Sequence, residues 1–207
     1  MPSAIFSHQA PGLVLKIKYP DKFDGTALCI STFVPDLTAL VDFFLPFTLR
    51  GISHSFLGLI YYTIPLTLLL VLLFRKNILP YLSQVAKNEG RLSKSLNYLG
   101  IDAWDKLKNK KYDRKSLVIA IYSAFIGGLT HLLLDLPSHE YIELFFPWVI
   151  FQSPKLLLYS IGQWQNYNLT IYDLIWIIES LITLVLTIYF LRYIKKNNLI
   201  GKWYDED

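Results

Sequence analysis

The segment SLVIAIYSAFIGGLTHLLLDLPSH, residues 116–139, sets the fold class. Its first 19 residues contain no Asp, Glu, Lys or Arg, and crossing about 30 Å of hydrocarbon takes roughly 20 mostly apolar helical residues. Residues 116–134 therefore read as a transmembrane helix, and 55–74 and 170–191 meet the same test. Composition agrees. The 207 residues are 53% hydrophobic and 15% aromatic, with a mean hydropathy of +0.37, richer in apolar groups than an ordinary soluble domain. The expected fold is all-α: one multi-pass membrane helical bundle over residues 1–207. The single cysteine, Cys29, reads as a small packing residue. The first twenty residues lack a basic region and a small-residue cleavage site, so a cleaved signal peptide is not expected.

Charge sets the expected orientation. Residues 75–115 hold 11 of the 20 Lys and Arg residues against four acids, Glu89, Asp102, Asp105 and Asp113. The positive-inside bias predicts a solvated cytoplasmic loop there. Residues 135–168 hold one base, Lys155, and Arg192, Lys195 and Lys196 follow the last span. The 135–168 segment is thus expected outside as an aromatic interfacial stretch, and the C-terminus inside. No recognition motif accompanies the basic loop, so nucleic acid is not an expected partner. The lipid bilayer is, and lysines near the loop suit anionic lipid.

All four histidines lie beside these segments in polar clusters: Ser7-His8, Ser53-His54-Ser55, Thr130-His131 with Asp135, and Ser138-His139. Ionisable groups at membrane depth are costly and usually pair, line a cavity or bind an ion. In the 116–134 helix, Ser123, Gly127, His131 and Asp135 recur every four residues and share one face. Ala120, Ala124 and Gly128 form a stripe beside it that permits close helix approach. Hairpin geometry brings His54 near His131, and the matching spacing of His54, Gly58 and Tyr62 predicts Gly58 opposite Gly127.

His131 and Asp135, one turn apart, can grip one ion. Neutral imidazole suits zinc, and carboxylates also accept manganese or magnesium. Adding His54, and His139 by its proximity to Asp135, gives three imidazoles and a carboxylate. The bland alternative is a His131–Asp135 hydrogen bond at a helix end.

The series FSHQAP (6–11), FVPDL (33–37), GISHSFLGL (51–59) and THLLLDLPSH (130–139) resembles an uncharacterised bacterial integral-membrane family, a domain-of-unknown-function family. That family is similar to membrane-bound proteins inferred to be metal-dependent hydrolases. The resemblance runs over most of residues 1–140. It implies His8, Asp36, His54, His131, Asp135 and His139 as metal-site residues, and a bacterial plasma-membrane location.

Asp36 interrupts an apolar stretch, 26–47, just after Pro35, which cannot continue a helix hydrogen-bond ladder. Irregular backbone at membrane depth is tolerated where it lines a cavity or is buried in protein. A Pro-Asp elbow aimed into the site fits, as does a kink with Asp36 capping the next segment. If 26–47 crosses once, His8 starts on the wrong side; if residues 1–50 are broken or re-entrant, His8 joins the site. The re-entrant version is the expectation. Glu140 and Glu143 could orient ligands, and Glu179 is expected to pair inside the bundle.

The leading reading is a zinc- or manganese-dependent hydrolase of a lipid or phosphoester, with the site facing outside. His54, His131, Asp135 and His139 hold the ion, while His8 and Asp36 complete a second position or accept a proton. A non-catalytic metal or haem station, or a structural or transport bundle, are the alternatives.

Overall fold

The computed structural model describes residues 7–110, 113–138, 141–148, 151–152, 154–165 and 167–204. The described residues open on a 3-10 turn, Ser7–Gln9, that leads into a helical hairpin. Helix α1 (Ala10–Lys18) carries Pro11 in its first turn, where the missing N–H costs nothing. It ends at Tyr19, whose place before Pro20 disfavours helix. Helix α2 (Gly25–Ser31) is capped by Asp24, whose carboxylate accepts the Ala27 N–H at 3.0 Å. At about 1.5 Å per residue neither helix is long enough to cross a bilayer. Pro35 then forces a single 3-10 turn, Pro35–Leu37, and a short helix α3 (Thr38–Asp42) follows.

Among the described residues, three helices are long and apolar enough to cross a membrane: α4 (Phe56–Lys87), α6 (Arg114–Asp135) and α7 (Ile171–Lys196). Helix α4 absorbs two prolines by widening. Its Leu59–Thr63 and Phe74–Ile78 turns are π-helical, and each precedes a proline, Pro65 and Pro80. A proline removes one i→i−4 donor, and the wider turn accommodates the interrupted ladder. Helix α6 is capped by Asp113, which accepts the Ser116 N–H at 2.7 Å. Helix α7 opens with a capping box, Asp173 accepting both the Thr170 N–H and hydroxyl. Asp173 is thereby explained as a cap.

The basic 75–115 connection carries much helix: α4 continues to Lys87, α5 spans Arg91–Tyr98, and a 3-10 stretch covers Ile101–Asn109. Apolar residues at helical spacing explain why. Leu79 and Leu107 are buried with Leu13, Ile194 and Ile200 in one core cluster. The described residues are mostly helical, as expected, with two small sheets besides: β1 (Tyr141–Ile142) pairs with β2 (Phe151–Gln152), and β3 (Ser160–Trp164) pairs antiparallel with β4 (Tyr167–Thr170). Prolines and a dense run of aromatic residues favour short extended pieces there.

Further core clusters stack along the bundle. Ala27, Ile30, Val34, Val71 and Ala120 form one, and Leu59, Leu132 and Leu144 another. The glycine-bearing faces of α6 sort differently from the expected pairing. A Cβ on Gly127 would strike Ser31 Oγ and the Leu28 carbonyl, whereas one on Gly128 would meet Leu59 and Thr63. The Ser123–Gly127–His131–Asp135 face therefore holds α2, and the Ala120–Ala124–Gly128 face holds α4. Gly58 instead sits against the Ile52 carbonyl.

Candidate metal centre

Four ligand-bearing side chains converge where the hairpin returns to α6. Asp36 comes from the 3-10 turn after Pro35, His54 from the residue ending the single turn Arg50–Ser53, and His131 and Asp135 from the last turn of α6. His131 Nε2 lies 3.3 Å from His54 Nε2 and 3.3 Å from Asp135 Oδ2. His54 Nε2 lies 3.4 Å from Asp36 Oδ1 and 3.5 Å from Asp135 Oδ2, and His131 Nε2 is 3.7 Å from Asp36 Oδ1. An ion with four ligands at about 2.0–2.2 Å in a tetrahedron sets neighbouring ligand atoms about 3.3–3.6 Å apart. Five of the six edges of this group thus have nearly the length one small cation requires. Taken as two carboxylates and neutral imidazoles, the group carries a charge that a divalent cation balances.

The surroundings orient these ligands. His54 Nδ1 lies 3.2 Å from the Arg50 carbonyl and 2.9 Å from Ser53 Oγ. A carbonyl only accepts, so the Nδ1–H donates to it and leaves the Nε2 lone pair aimed into the site. The Ser53 hydroxyl is in turn 3.1 Å from Thr38 Oγ1, which donates to the Pro35 carbonyl at 3.0 Å. That chain links the turn carrying His54 to the turn carrying Asp36. Ser53 was visible only as part of the polar cluster around His54, and Arg50 and Thr38 do not stand out in the sequence, because their partners are set by tertiary approach.

His8 joins from the entry to α1. Its ring stands edge-on to His131, centroids 5.0 Å apart, and its Nε2 lies 3.8 Å from Asp135 Oδ1. Asp135 thus presents one oxygen to the histidine pair and the other to His8. His8 and Asp36, at the two ends of the hairpin, reach the same end of α6. His139 lies outside the described residues, as does Glu140.

The group is closed on most sides. His131 is fully buried, and His8, His54 and Asp135 nearly so; the Asp36 side chain, at 19% exposure, is the most open of the group. Leu144 packs on Leu59 and Leu132, and its carbonyl accepts the Phe56 N–H at 2.9 Å. Glu143 does not join them: its carboxylate lies against Gly51. Asp42 is a turn cap, accepting the Thr48 hydroxyl and the Leu49 N–H, each at 2.8 Å.

A family model described as a domain of unknown function (DUF4184) matches residues 1–203. No curated protein and no solved structure matches the chain.

Proposed function

The chain belongs to the family defined as a domain of unknown function, DUF4184, and from that premise we propose that it is a membrane-embedded, metal-dependent hydrolase acting on a lipid or a lipid-linked phosphoester. The observation that carries this reading is the spacing of Asp36, His54, His131 and Asp135, with five ligand-to-ligand distances of 3.3–3.7 Å. A His131–Asp135 hydrogen bond alone gives no reason for His54 and Asp36 to converge on the same point. Two imidazoles and two carboxylates at tetrahedral spacing favour zinc, with manganese second.

When bound, the ion would lower the pKa of a water and polarise a phosphoryl or carbonyl oxygen. The roles of the residues follow from their exposure. Four protein ligands make a closed, structural zinc shell, whereas a catalytic shell keeps one position for water. Asp36 is the most exposed of the four, at 19%, and sits on a single irregular turn. His54, His131 and Asp135 would then hold the ion, and Asp36 would accept a proton from the attacking water. His8, behind Asp135, steadies the second carboxylate oxygen and can carry a proton onward.

The lipid assignment rests on what surrounds the opening. Asp36 and His54 bracket a segment that leaves the site and returns to it, and this segment bares Leu40, Phe43, Phe44 and Phe47. Phe43 and Phe44 are 84% and 81% exposed. An apolar apron beside the one open ligand suits a substrate arriving from hydrocarbon. The reading puts the site on the outer side of a bacterial plasma membrane, supported by the basic residues at the far ends of the spans through the positive-inside bias. A haem station is less well supported, since carboxylates crowd the histidine pair and leave no plane for a porphyrin.

Metal analysis of the purified protein beside His131→Ala tests this. About one zinc or manganese per chain in the wild type and almost none in the variant is the expected result. No ion in either sinks the reading.

A further inference from the structure

The opposite end of the bundle holds a second built feature. A groove of about 1110 Å³ runs between α7 and the end of α4 with α5. Its α7 wall is one helical row: Val185, Ile188 and Tyr189 at spanning depth, then Arg192 and Lys196. Lys87 and Lys94 face them from the other wall, and Lys195 completes five cations with no acid among the lining residues. Two acids reach in from the 3-10 stretch. Asp105 pairs with Lys87 at 2.8 Å, and Asp102 lies 3.4 Å from Lys195. Counting these, the mouth retains an excess of three positive charges among the described residues, from five bases and two acids.

The walls are prearranged. Arg192 stacks on the Tyr98 ring, its guanidinium carbon 4.2 Å from the centroid, which fixes the plane and leaves the N–H edges to meet a phosphate. Lys195 Nζ donates to Asn97 Oδ1 at 2.5 Å and to the Asn97 carbonyl, tying α5 to α7. Below this polar mouth the row is apolar and open to the surroundings, with Val185 64% exposed. At 26 residues, about 39 Å, α7 overhangs the hydrocarbon. The overhang puts Arg192 and Lys196 at headgroup level and Val185 about 10 Å deeper.

We propose that this groove is a binding site for one anionic glycerophospholipid, its phosphate on Arg192, Lys94 and Lys196 and an acyl chain along Val185 and Ile188. Charge complementarity at the mouth and an apolar floor at hydrocarbon depth select a lipid over a soluble anion, which would use only the mouth. The site is separate from the His/Asp group, so it stands or falls independently of the ion.

The test uses the full chain in neutral detergent with equimolar phosphatidylglycerol and phosphatidylcholine of identical acyl chains, the bound lipids counted by native mass spectrometry. Phosphatidylglycerol is expected to be retained about fivefold or more over phosphatidylcholine. Arg192→Gln with Lys196→Gln should abolish the preference, Lys94→Gln alone, from the other wall, should reduce it, and Lys18→Gln with Lys22→Gln should leave it intact. Equal retention of the two lipids by the wild type overturns the proposal. So does a preference unchanged by the groove variants, lost equally in the Lys18/Lys22 variant, or erased by inorganic phosphate with no lipid remaining.

Discussion

His54 reaches the centre from a position that regular helix does not supply, the residue between a single turn and the start of α4. Its direction depends on Ser53 and the Arg50 carbonyl. Removing the hydroxyl with Ser53→Ala loosens the ring without touching a ligand, and changes of that kind typically cost about tenfold to a hundredfold in metal affinity. A competition titration with a zinc-sensitive dye checks it, and unchanged affinity would remove Ser53 from the orienting chain. Asp36 separates the catalytic reading from a structural one. Asp36→Asn should keep the ion bound yet lose hydrolysis of bis(p-nitrophenyl) phosphate, by about a hundredfold for a missing general base. Loss of the ion instead would mark a closed four-ligand site. The pairing of His131 with Asp135 was legible because i and i+4 share a helix face. Asp36 was legible through Pro35 and through the family resemblance. For His8 the apolar pattern alone was ambiguous, because residues 26–47 could cross once or turn back, and the family resemblance with the Pro35 break favoured turning back.

The α6 helix carries both of its neighbours on small-residue faces, and each face has its own partner. Ser123 Oγ accepts the Asp24 N–H at 2.9 Å, and Gly127 lies against Ser31 and Leu28, so this face holds the hairpin that delivers Asp36. Gly127→Val would drive a branched side chain into the Leu28 carbonyl, backbone that cannot swing aside. Overpacking of this kind costs about 1–3 kcal/mol. The expected result is a lower unfolding midpoint in detergent together with weakened metal binding, since α2 must move. A midpoint loss with metal binding intact would uncouple the hairpin from the site. The stripes were readable from spacing, but their partners were not. Periodicity says which residues share a face and nothing about which helix covers it, and α2 was hidden inside an apolar stretch broken by Pro35. The reach of α4 to Lys87 was hidden similarly: Arg75 and Lys76 look like the end of a span, yet the helix passes them through a π turn.

Across the whole molecule, a buried ionic knot ties the tip of the hairpin to the basic end of the bundle. Asp24 is 1% exposed, and Arg75 Nη2 and Lys110 Nζ lie 2.5 and 2.8 Å from its two oxygens. Lys16 donates to the Pro20 and Phe23 carbonyls at 2.6 and 3.0 Å and stands over the Trp203 ring of helix α8 (Leu199–Tyr204). These partners are 51 and 86 residues from Asp24 in sequence, so no local pattern announced the knot, although the three long apolar runs announced the spans. Breaking a buried ion pair from one side leaves an uncompensated charge, at about 3–5 kcal/mol. Asp24→Ala should therefore be the most destabilising single change outside the apolar core, read by thermal unfolding in detergent at neutral pH. The pH dependence has a definite sign. Burial alone would raise the Asp24 pKa, but Arg75 and Lys110 outweigh it and hold the carboxyl well below its usual range. A depressed native pKa contributes stability that is fully present above the unfolded value, about 4, and is lost as pH falls toward the native one. Protonation of the His/Asp group would add its own acid sensitivity through ion release, so the measurement belongs on the His131→Ala background. There the unfolding midpoint should fall between about pH 5 and about pH 3, a unit either side of that carboxylate value, and adding Asp24→Asn should flatten the fall. An equal fall with Asp24→Asn in place would assign the acid sensitivity to other carboxylates and leave the knot without a measurable role in stability.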